Sequence, residues 1–325
     1  MCAAIARILL TGAGGFVGPY VRAACAEQFP YAEILAGEED VTDAAAVEAM
    51  VKATRPDAVV HLAGIASVST ARAEPERAFA VNLGGTLVLA RAMLKHVPDA
   101  VLVFAGSAEC YGASFRGGGA LDETAALAPM NAYAASKAAA DLALGAFAAE
   151  SGLRTVRLRS FNHTGPGQSD AFVIAAFAAQ IDRIRCGEQN PVIRVGNLDA
   201  ARDFLDVRDV ARAYALAIAR ADELPSGVIL NIASGVSTRI GDILERMIAA
   251  SGMDIAIEVD PARLRPVDIP IARGNAGAAA RLLGWQPEIT FEMTLREIMA
   301  ASSARVQAPR PKRSRSSSPE TGNQP

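Results

Sequence analysis

Short apolar runs alternate with longer amphipathic segments along the first half of the chain. The runs lie at residues 6–10, 58–63, 100–105 and 155–158, and each is bounded by glycine or polar residues. Segments of helical periodicity separate them. Because right-handed crossovers place helices on both faces of a parallel sheet, this alternation predicts an α/β fold with a Rossmann-like, doubly wound parallel sheet.

After about Gly165 the alternation loosens, which predicts a smaller, interleaved C-terminal substrate lobe. The pattern predicts helices at 170–186, 210–221, 240–251, 276–283 and 291–303, and short strands at 192–195 and 228–233. We therefore predict a Rossmann domain at 1–165, with returns to its sheet around 204–233, and a substrate lobe at 166–304. Residues 305–325 are rich in Pro, Ser and basic residues and predict a disordered basic tail.

Composition and charge exclude several classes of protein. The 325 residues are 51% hydrophobic and 21% charged, which is ordinary for a globular chain and too apolar for a disordered one. The formal net charge of the whole chain is -3, and its C-terminal tail is basic. The rest of the chain is therefore more acidic than this value, which does not suit binding to nucleic acid. The four cysteines have no close pairs, which fits a reducing cytoplasm. We expect neither a signal peptide nor a membrane partner.

A glycine-rich turn follows the first predicted strand. Gly12, Gly15 and Gly18 have the spacing of a turn that carries a dinucleotide pyrophosphate at the start of a helix. The helix N-terminus supplies partial positive charge to the phosphates. The turn therefore predicts a nicotinamide-dinucleotide site.

Tyr133 and Lys137 lie four residues apart in a segment predicted to be helical, so they share one helix face. A neighbouring ammonium favours the phenolate. We therefore expect Lys137 to lower the pKa of Tyr133 and to make it a proton donor or acceptor near neutral pH.

Ser107 and Glu109 directly follow the predicted strand at 100–105. Strand ends that face a cofactor crevice are where such folds keep reactive groups, and a serine hydroxyl there can hydrogen-bond a carbonyl oxygen. Taken alone, Ser107 could also be a helix cap and Glu109 an exposed loop carboxylate.

These motifs, in this order, resemble the extended short-chain dehydrogenase/reductase family, and the resemblance extends to about residue 300. It is strengthened by His61-Leu62-Ala63-Gly64 and by Asn82 in Val-Asn-Leu-Gly-Gly-Thr. The resemblance implies the following cofactor-binding residues: Gly12, Gly15, Phe16, Val17, Asp40, Val41, Leu62, Ala63, Gly64, Asn82, Tyr133 and Lys137.

Two further segments look like the branch of GDP-mannose 4,6-dehydratases and GDP-6-deoxy-D-mannose reductases. They are residues 159–168 (RSFNHTGPGQ) and 196–204 (GNLDAARDF). The likeness implies that a GDP-sugar is bound by Ser107, Glu109, Asn162, Arg202, Arg265 and Asp268. The guanidinium groups would neutralise diphosphate, Asn162 would contact the sugar or diphosphate, and Asp268 would hold a ribose hydroxyl. Asn162 could instead be a turn residue, and Arg202 with Asp203 a surface ion pair.

The resemblance implies NAD(P)H-dependent reduction of the C4 ketone of GDP-4-dehydro-6-deoxy-D-mannose to a GDP-6-deoxyhexose such as GDP-D-rhamnose. Tyr133 would protonate the alkoxide, Lys137 would hold the nicotinamide ribose, Ser107 would polarise the carbonyl and Glu109 would position the sugar. The alternatives are a GDP-mannose 4,6-dehydratase, an NDP-sugar 4-epimerase and a non-catalytic nucleotide-sensing protein. The dehydratases resemble one another in a Gln-Asp opening turn and in a Thr at the position of Ser107, and this chain has neither.

The segment after the glycine turn has room for one strand, at 33–36, where the family usually has two. Glu38 or Glu39 follows it at the position of the ribose-binding acid, and no Arg or Lys lies between Arg22 and Lys52. Because a 2'-phosphate needs a cation, we expect NADH to be favoured over NADPH. The three histidines form no metal-ligand set, so no metal is expected. Family likeness implies a cytoplasmic homodimer or homotetramer, paired through helices around 84–96 and 134–149.

Overall fold

The computed structural model describes residues 5–264 and 269–307. Six strands form its centre: β1 (Arg7–Thr11), β2 (Glu33–Gly37), β3 (Ala58–His61), β4 (Val101–Ala105), β5 (Thr155–Ser160) and β9 (Val228–Ile232). They pair in parallel in the order β2-β1-β3-β4-β5-β9. The predicted Rossmann-like sheet is confirmed, with a single strand, β2, between the first two helices.

Helices cover both faces of this sheet. One face carries α1 (Gly18–Gln28) and α8 (Val207–Ala219), and the other carries α2 (Ala44–Thr54), α5 (Thr86–His96) and α6 (Ala132–Ser151). Ile8 packs in the core cluster of the first face and Leu9 in that of the second, because neighbouring residues of a strand point to opposite faces. A strand buried on both faces is therefore mostly apolar, as β1, β3 and β4 are, whereas β5 also buries Arg157 and Arg159.

A long helical segment precedes β4. After the short α3 (Val68–Ala73), it comprises α4 (Pro75–Phe79), a π-helical turn (Ala80–Gly85) and α5. At 22 residues with a mean hydropathy of 1.2, it could cross a membrane by length and composition alone. In the fold, α5 buries Leu89 and Met93 against the central sheet, as the core helix of a folded domain does.

The second half of the chain forms two smaller sheets. Their strands are β6 (Asn162–Thr164), β7 (Val192–Val195), β8 (Ala201–Asp206), β10 (Ser237–Arg239), β11 (Ala256–Val259) and β12 (Ile271–Ala272). β8 pairs with β6, β10 and β12, and β7 pairs with β11. The flanking helices of these sheets are α7 (Val173–Arg185), α9 (Ile240–Ser251) and α11 (Phe291–Gln307), whereas α10 (Gly277–Leu283) packs against β9 and α8 beside the central sheet.

The predicted returns to the central sheet around 204–233 need one correction. β9 joins that sheet beside β5, but β8 belongs to a small sheet, because its neighbours β6, β10 and β12 come from the second half of the chain. The division into domains at 1–165 and 166–304 stays a prediction. α11 continues to Gln307, and the part of the predicted tail beyond it lies outside the described residues.

Candidate active site

The glycine-rich turn connects β1 to α1 and packs against the loop after β3. Gly12 has a φ of 70°, in the region that favours glycine, and a Cβ there would lie 2.6 Å from the backbone nitrogen of Ala63. The N–H of Leu62 donates to the carbonyl of Thr11 at 3.1 Å. Gly12, Leu62 and Ala63 therefore come together at the carboxyl edge of the sheet, as predicted for a cofactor crevice.

The start of α1 leaves hydrogen-bond donors free. The helix has no side-chain cap and no acidic residue in its first turn. Among the described residues, the backbone N–H groups of Phe16 and Val17 have no acceptor. Unpaired N–H groups at a helix N-terminus attract anions, so this turn fits the diphosphate of a dinucleotide.

The segment after β2 is where the sequence predicts the adenosine end of this crevice. Glu38, Glu39 and Asp40 are exposed there, and Val41 is buried. Hydrogen bonds from the backbone and side chain of Thr42, at 2.9 and 2.8 Å, hold the pKa of Asp40 below its usual value. The structure also brings Arg77 of α4 within Coulombic range of Asp40, although this cation is already paired with Glu74 at 2.9 Å.

Ser107, Tyr133 and Lys137 meet where β4 ends. Ser107 caps the 3₁₀ helix Ala108–Gly117 by accepting a hydrogen bond from the N–H of Glu109 at 3.2 Å, and its side chain is also hydrogen-bonded to that of Tyr133. Lys137 Nζ donates to the carbonyl oxygen of Ala105 at 2.9 Å. Ser107 is thus both a cap and a neighbour of the phenol, and the negative charge of Glu109 acts on the same phenol.

The predicted lowering of the Tyr133 pKa is wrong. Burial raises the pKa of Tyr133, the hydrogen bond with Ser107 opposes that rise, and the charge of Glu109 adds to it. The same burial lowers the pKa of Lys137 to about 8. Removing both groups from water destabilises the phenolate and the ammonium alike. Tyr133 is therefore a protonated phenol near neutral pH, the form that donates a proton.

Asn82, predicted to bind cofactor, is committed to protein contacts. It lies in the π-helical turn and is 1% exposed. Its Nδ2 donates to Ser136 Oγ at 2.9 Å and to the carbonyl of Ile65 at 3.1 Å, and its Oδ1 accepts from the N–H of Ile65 at 2.8 Å. Both amide hydrogens are used, so Asn82 acts on the crevice by fixing the loop at Gly64 and Ile65 against α6.

His61 lies directly beneath this loop and is fully buried. Thr86 Oγ1 donates its only hydrogen to the carbonyl of Asn82 at 2.6 Å, so it must accept from His61 Nε2 at 3.1 Å. His61 Nδ1 then accepts from Thr11 Oγ1 at 2.7 Å. Burial and the charge of Lys137 lower the pKa of His61 to about 3. Both ring nitrogens are occupied, and residues 5–264 and 269–307 contain no cluster of three potential metal ligands.

The predicted substrate residues lie around β6 and β8. Asn162 is exposed in β6 and pairs with Phe204 of β8, so it is a strand residue and the turn alternative is wrong. Arg202 is 8% exposed and donates to the carbonyl of Ile269 at 2.7 Å. Asp203 is fully buried and accepts from Ser234 Oγ at 2.6 Å and from three backbone N–H groups, so a surface ion pair with Arg202 is wrong. Arg265 and Asp268 lie outside the described residues.

Sequence reasoning missed a group of buried polar residues behind the site. They are Tyr111, Asp141, Arg157, Arg159 and Asn231. Two signals were available. Asp141 continues the four-residue spacing of Tyr133 and Lys137, and two arginines alternate with Val156 and Leu158 on a strand of the central sheet, where buried charges need a partner.

Comparisons with known proteins agree with this architecture. The family described as GDP-mannose 4,6 dehydratase matches residues 23–298. The GDP-6-deoxy-D-mannose reductase of Pseudomonas aeruginosa is 34% identical over 302 residues, which is 92% of this chain and 98% of the relative.

Two solved structures are similar along nearly their whole length. RMD from Pseudomonas aeruginosa complexed with NADPH superposes with a TM-score of 0.83 at 31% identity, covering 92% of this chain and 99% of that one. The UDP-glucose 4-epimerase of Thermus thermophilus in complex with NAD gives a TM-score of 0.79 at 28% identity, covering 91% and 98%. With the Ser107, Tyr133 and Lys137 arrangement, these matches show that the chain belongs to the GDP-mannose 4,6 dehydratase family of extended short-chain dehydrogenases/reductases.

Proposed function

We propose that this protein reduces the C4 ketone of GDP-4-dehydro-6-deoxy-D-mannose to a GDP-6-deoxyhexose such as GDP-D-rhamnose, using NAD(P)H. One observation carries the proposal: a serine hydroxyl, a protonated phenol and an ammonium converge at the end of β4 beside the glycine turn. The reductase relative, which matches nearly end to end, supports the substrate class.

The chain's own residues would divide the work as follows. A bound reduced nicotinamide supplies the hydride that adds to C4. Ser107 donates a hydrogen bond to the C4 oxygen and polarises it, and Tyr133 gives that oxygen the proton that completes the alcohol. Lys137 donates one N–H to the carbonyl of Ala105, and its other N–H groups would donate to ribose hydroxyls. The Tyr133 phenolate left behind, on the same helix face as Lys137 and one turn away, regains its proton from solvent.

The raised pKa of Tyr133 keeps its phenol protonated at neutral pH, which is the form that can donate a proton to a developing alkoxide. Glu109 lies in the 3₁₀ helix that Ser107 caps, and its charge acts on Tyr133, so we propose that it orients the sugar. Asn162, Arg202, Arg265 and Asp268 complete the proposed substrate site.

For the cofactor, we propose a preference for NADH. Three exposed acidic residues follow β2, and they repel a 2'-phosphate and accept hydrogen bonds from a free 2'-hydroxyl. Arg77 is the cation that the structure brings to this end, and its ion pair with Glu74 already engages it. We further propose a cytoplasmic homodimer or homotetramer, which light scattering of the purified protein would test.

The experiment is to mix the purified protein with GDP-4-dehydro-6-deoxy-D-mannose and NADH or NADPH, and to follow reduced-nicotinamide absorbance and product together. We expect one cofactor oxidised for each sugar reduced. Conversion of GDP-mannose to the 4-keto sugar without added reductant would replace the proposal with a 4,6-dehydratase.

Two other outcomes would also overturn the proposal. Inversion of a nucleotide sugar at C4 without net cofactor consumption would indicate an epimerase. Tight binding of NADH with no turnover of any of these sugars would indicate a nucleotide-sensing protein.

A further inference from the structure

A buried charge cluster lies behind the candidate active site, between α6 and β5. It consists of Asp141, which is fully buried, and Arg157 and Arg159, which are 8% and 2% exposed. Arg159 binds the Asp141 carboxylate through Nε at 3.1 Å and one terminal nitrogen at 2.8 Å, and Arg157 binds it at 3.0 Å. The two arginines are two residues apart on β5 and so face the same helix.

The two arginines differ in what else they contact. Arg157 donates to the carbonyls of Asp141 and Gly227, which are structural backbone groups. Arg159 donates to the hydroxyl of Tyr111 at 3.1 Å, and its guanidinium carbon lies 5.1 Å from the centre of the Tyr111 ring. Tyr111 passes the connection on by donating to Asn231 of β9 at 2.7 Å. Arg159 therefore joins α6 to the 3₁₀ helix, whereas Arg157 does not.

Both joined elements carry catalytic groups. Tyr111 lies in the 3₁₀ helix that Ser107 caps and that includes Glu109. Asp141 lies on α6 at the spacing that places Tyr133, Lys137 and Asp141 along one helix face. Ser107 and Tyr133 are thus on separate elements of the fold. The hydrogen bonds of Arg159 to Asp141 and Tyr111 fix the position of one element relative to the other.

We propose that Arg159 and Tyr111 are positioning residues, which hold Ser107 and Tyr133 at the separation that the reduction needs. This rests on the proposed reductase function. Tyr111 is fully buried and Arg159 nearly so, and both are hydrogen-bonded to protein groups, so we assign them a role through Ser107 and Tyr133 and not through contact with substrate or cofactor. A rigid, planar guanidinium can satisfy Asp141 through two nitrogens and Tyr111 through the third, which a lysine ammonium at the same place cannot do.

The desolvation cost of these buried charges supports a role in fixing the geometry of the site. Two cations and one anion are removed from water here, and apolar residues of similar volume often stabilise a core as well or better. A guanidinium makes hydrogen bonds in fixed directions, which an apolar contact does not. In this cluster the hydrogen bonds of Arg159 connect α6 to the 3₁₀ helix that Ser107 caps.

The experiment compares Arg159→Lys with Arg157→Lys in the full chain, and adds Tyr111→Phe. Both lysine variants weaken the contact with the Asp141 carboxylate, Arg159→Lys at two hydrogen bonds and Arg157→Lys at one, but only Arg159→Lys breaks the link to Tyr111. We expect about a 10-fold loss of kcat in Arg159→Lys and a smaller loss in Tyr111→Phe, with KM for NADH unchanged, because misplacement of reacting groups lowers turnover without weakening cofactor binding. Arg157→Lys should lower Tm and leave kcat within about 2-fold of wild type.

The outcomes separate the two proposals. No reduction by the wild-type protein contradicts the proposed function itself. An active wild type with equal kcat in the two lysine variants, measured well below both Tm values, contradicts the positioning role. Tyr111→Phe decides the matter if Arg159→Lys does not fold, because it removes one hydroxyl from the core: wild-type kcat in that variant overturns the proposal.

Discussion

The two ends of the proposed cofactor crevice are built differently. At the catalytic end, Ser107, Lys137 and Asn82 are 7%, 5% and 1% exposed, and each is hydrogen-bonded within the protein. At the adenosine end, Glu38 and Glu39 are exposed on a loop. The catalytic groups therefore hold their positions through the fold, whereas the adenosine end tolerates change. Substitutions should cost turnover and stability at the first end and alter selectivity at the second.

The largest effect is expected for Tyr133→Phe, which removes the proposed proton donor but keeps the ring. We expect kcat to fall about 1,000-fold, within the usual range for loss of a general acid, while the Kd for NADH changes little. Stopped-flow turnover and fluorescence titration would measure both. Tyr31→Phe is the matched control, since Tyr31 is 98% exposed. A Tyr133→Phe enzyme that keeps a tenth of its activity would remove Tyr133 from the mechanism.

A second substitution tests whether Asn82 organises the catalytic end. Asn82→Asp keeps the acceptor for Ile65 N–H but replaces two donors with oxygen, facing a carbonyl and a hydroxyl. We expect a loss of about 3 kcal/mol in the free energy of unfolding, because buried partners are left unsatisfied. Urea unfolding would measure it.

The control for Asn82→Asp is the same change at Asn131. Asn131 caps α6 by accepting from the N–H of Ala134 at 2.8 Å, and aspartate caps equally well. Equal stability of the two variants would contradict the organising role of Asn82.

A third test uses pH to probe the buried His61. Its folded-state pKa of about 3 lies below the unfolded value near 6.5, so only the unfolded chain takes up this proton as pH falls below about 6.5. Stability is therefore lost from pH 6.5 downward, by about 2 kcal/mol between pH 7 and pH 5. His61→Gln should flatten this part of the dependence in urea unfolding. His96→Gln, at the surface contact with Glu48, should leave it in place.

The smallest effect is expected at the adenosine end. Glu39→Arg places a cation where a 2'-phosphate would lie, and should raise the ratio of kcat/KM for NADPH to that for NADH about 10-fold. Glu33→Arg is the control, because Glu33 begins β2 at the opposite edge of the sheet. An unchanged ratio in Glu39→Arg would show that the ribose binds elsewhere.

The sequence predicts best what depends on local pattern. The β/α alternation predicts the sheet, the strand end before Ser107 predicts that this residue lies at the carboxyl edge, and the four-residue spacing of Tyr133 and Lys137 predicts that they share one helix face. The direction in which the pKa of Tyr133 shifts could not be predicted in this way, because the burial of its side chain depends on residues from many parts of the fold. Arg77 reaches Asp40 from a different helix, so a search of the neighbouring sequence for cations could not find it.

β9 makes the two halves of the chain depend on each other. It is the last strand of the central sheet, yet residues 161–227, which include β6, α7, β7 and β8 of the second lobe, separate it from β5, and β5 is an open edge without it. A nascent chain on the ribosome that has emerged only to β5 exposes backbone groups that invite aggregation. Translation must proceed past Ile232 before the cofactor lobe can close, so a premature stop between the lobes should yield an insoluble fragment rather than a smaller nucleotide-binding protein.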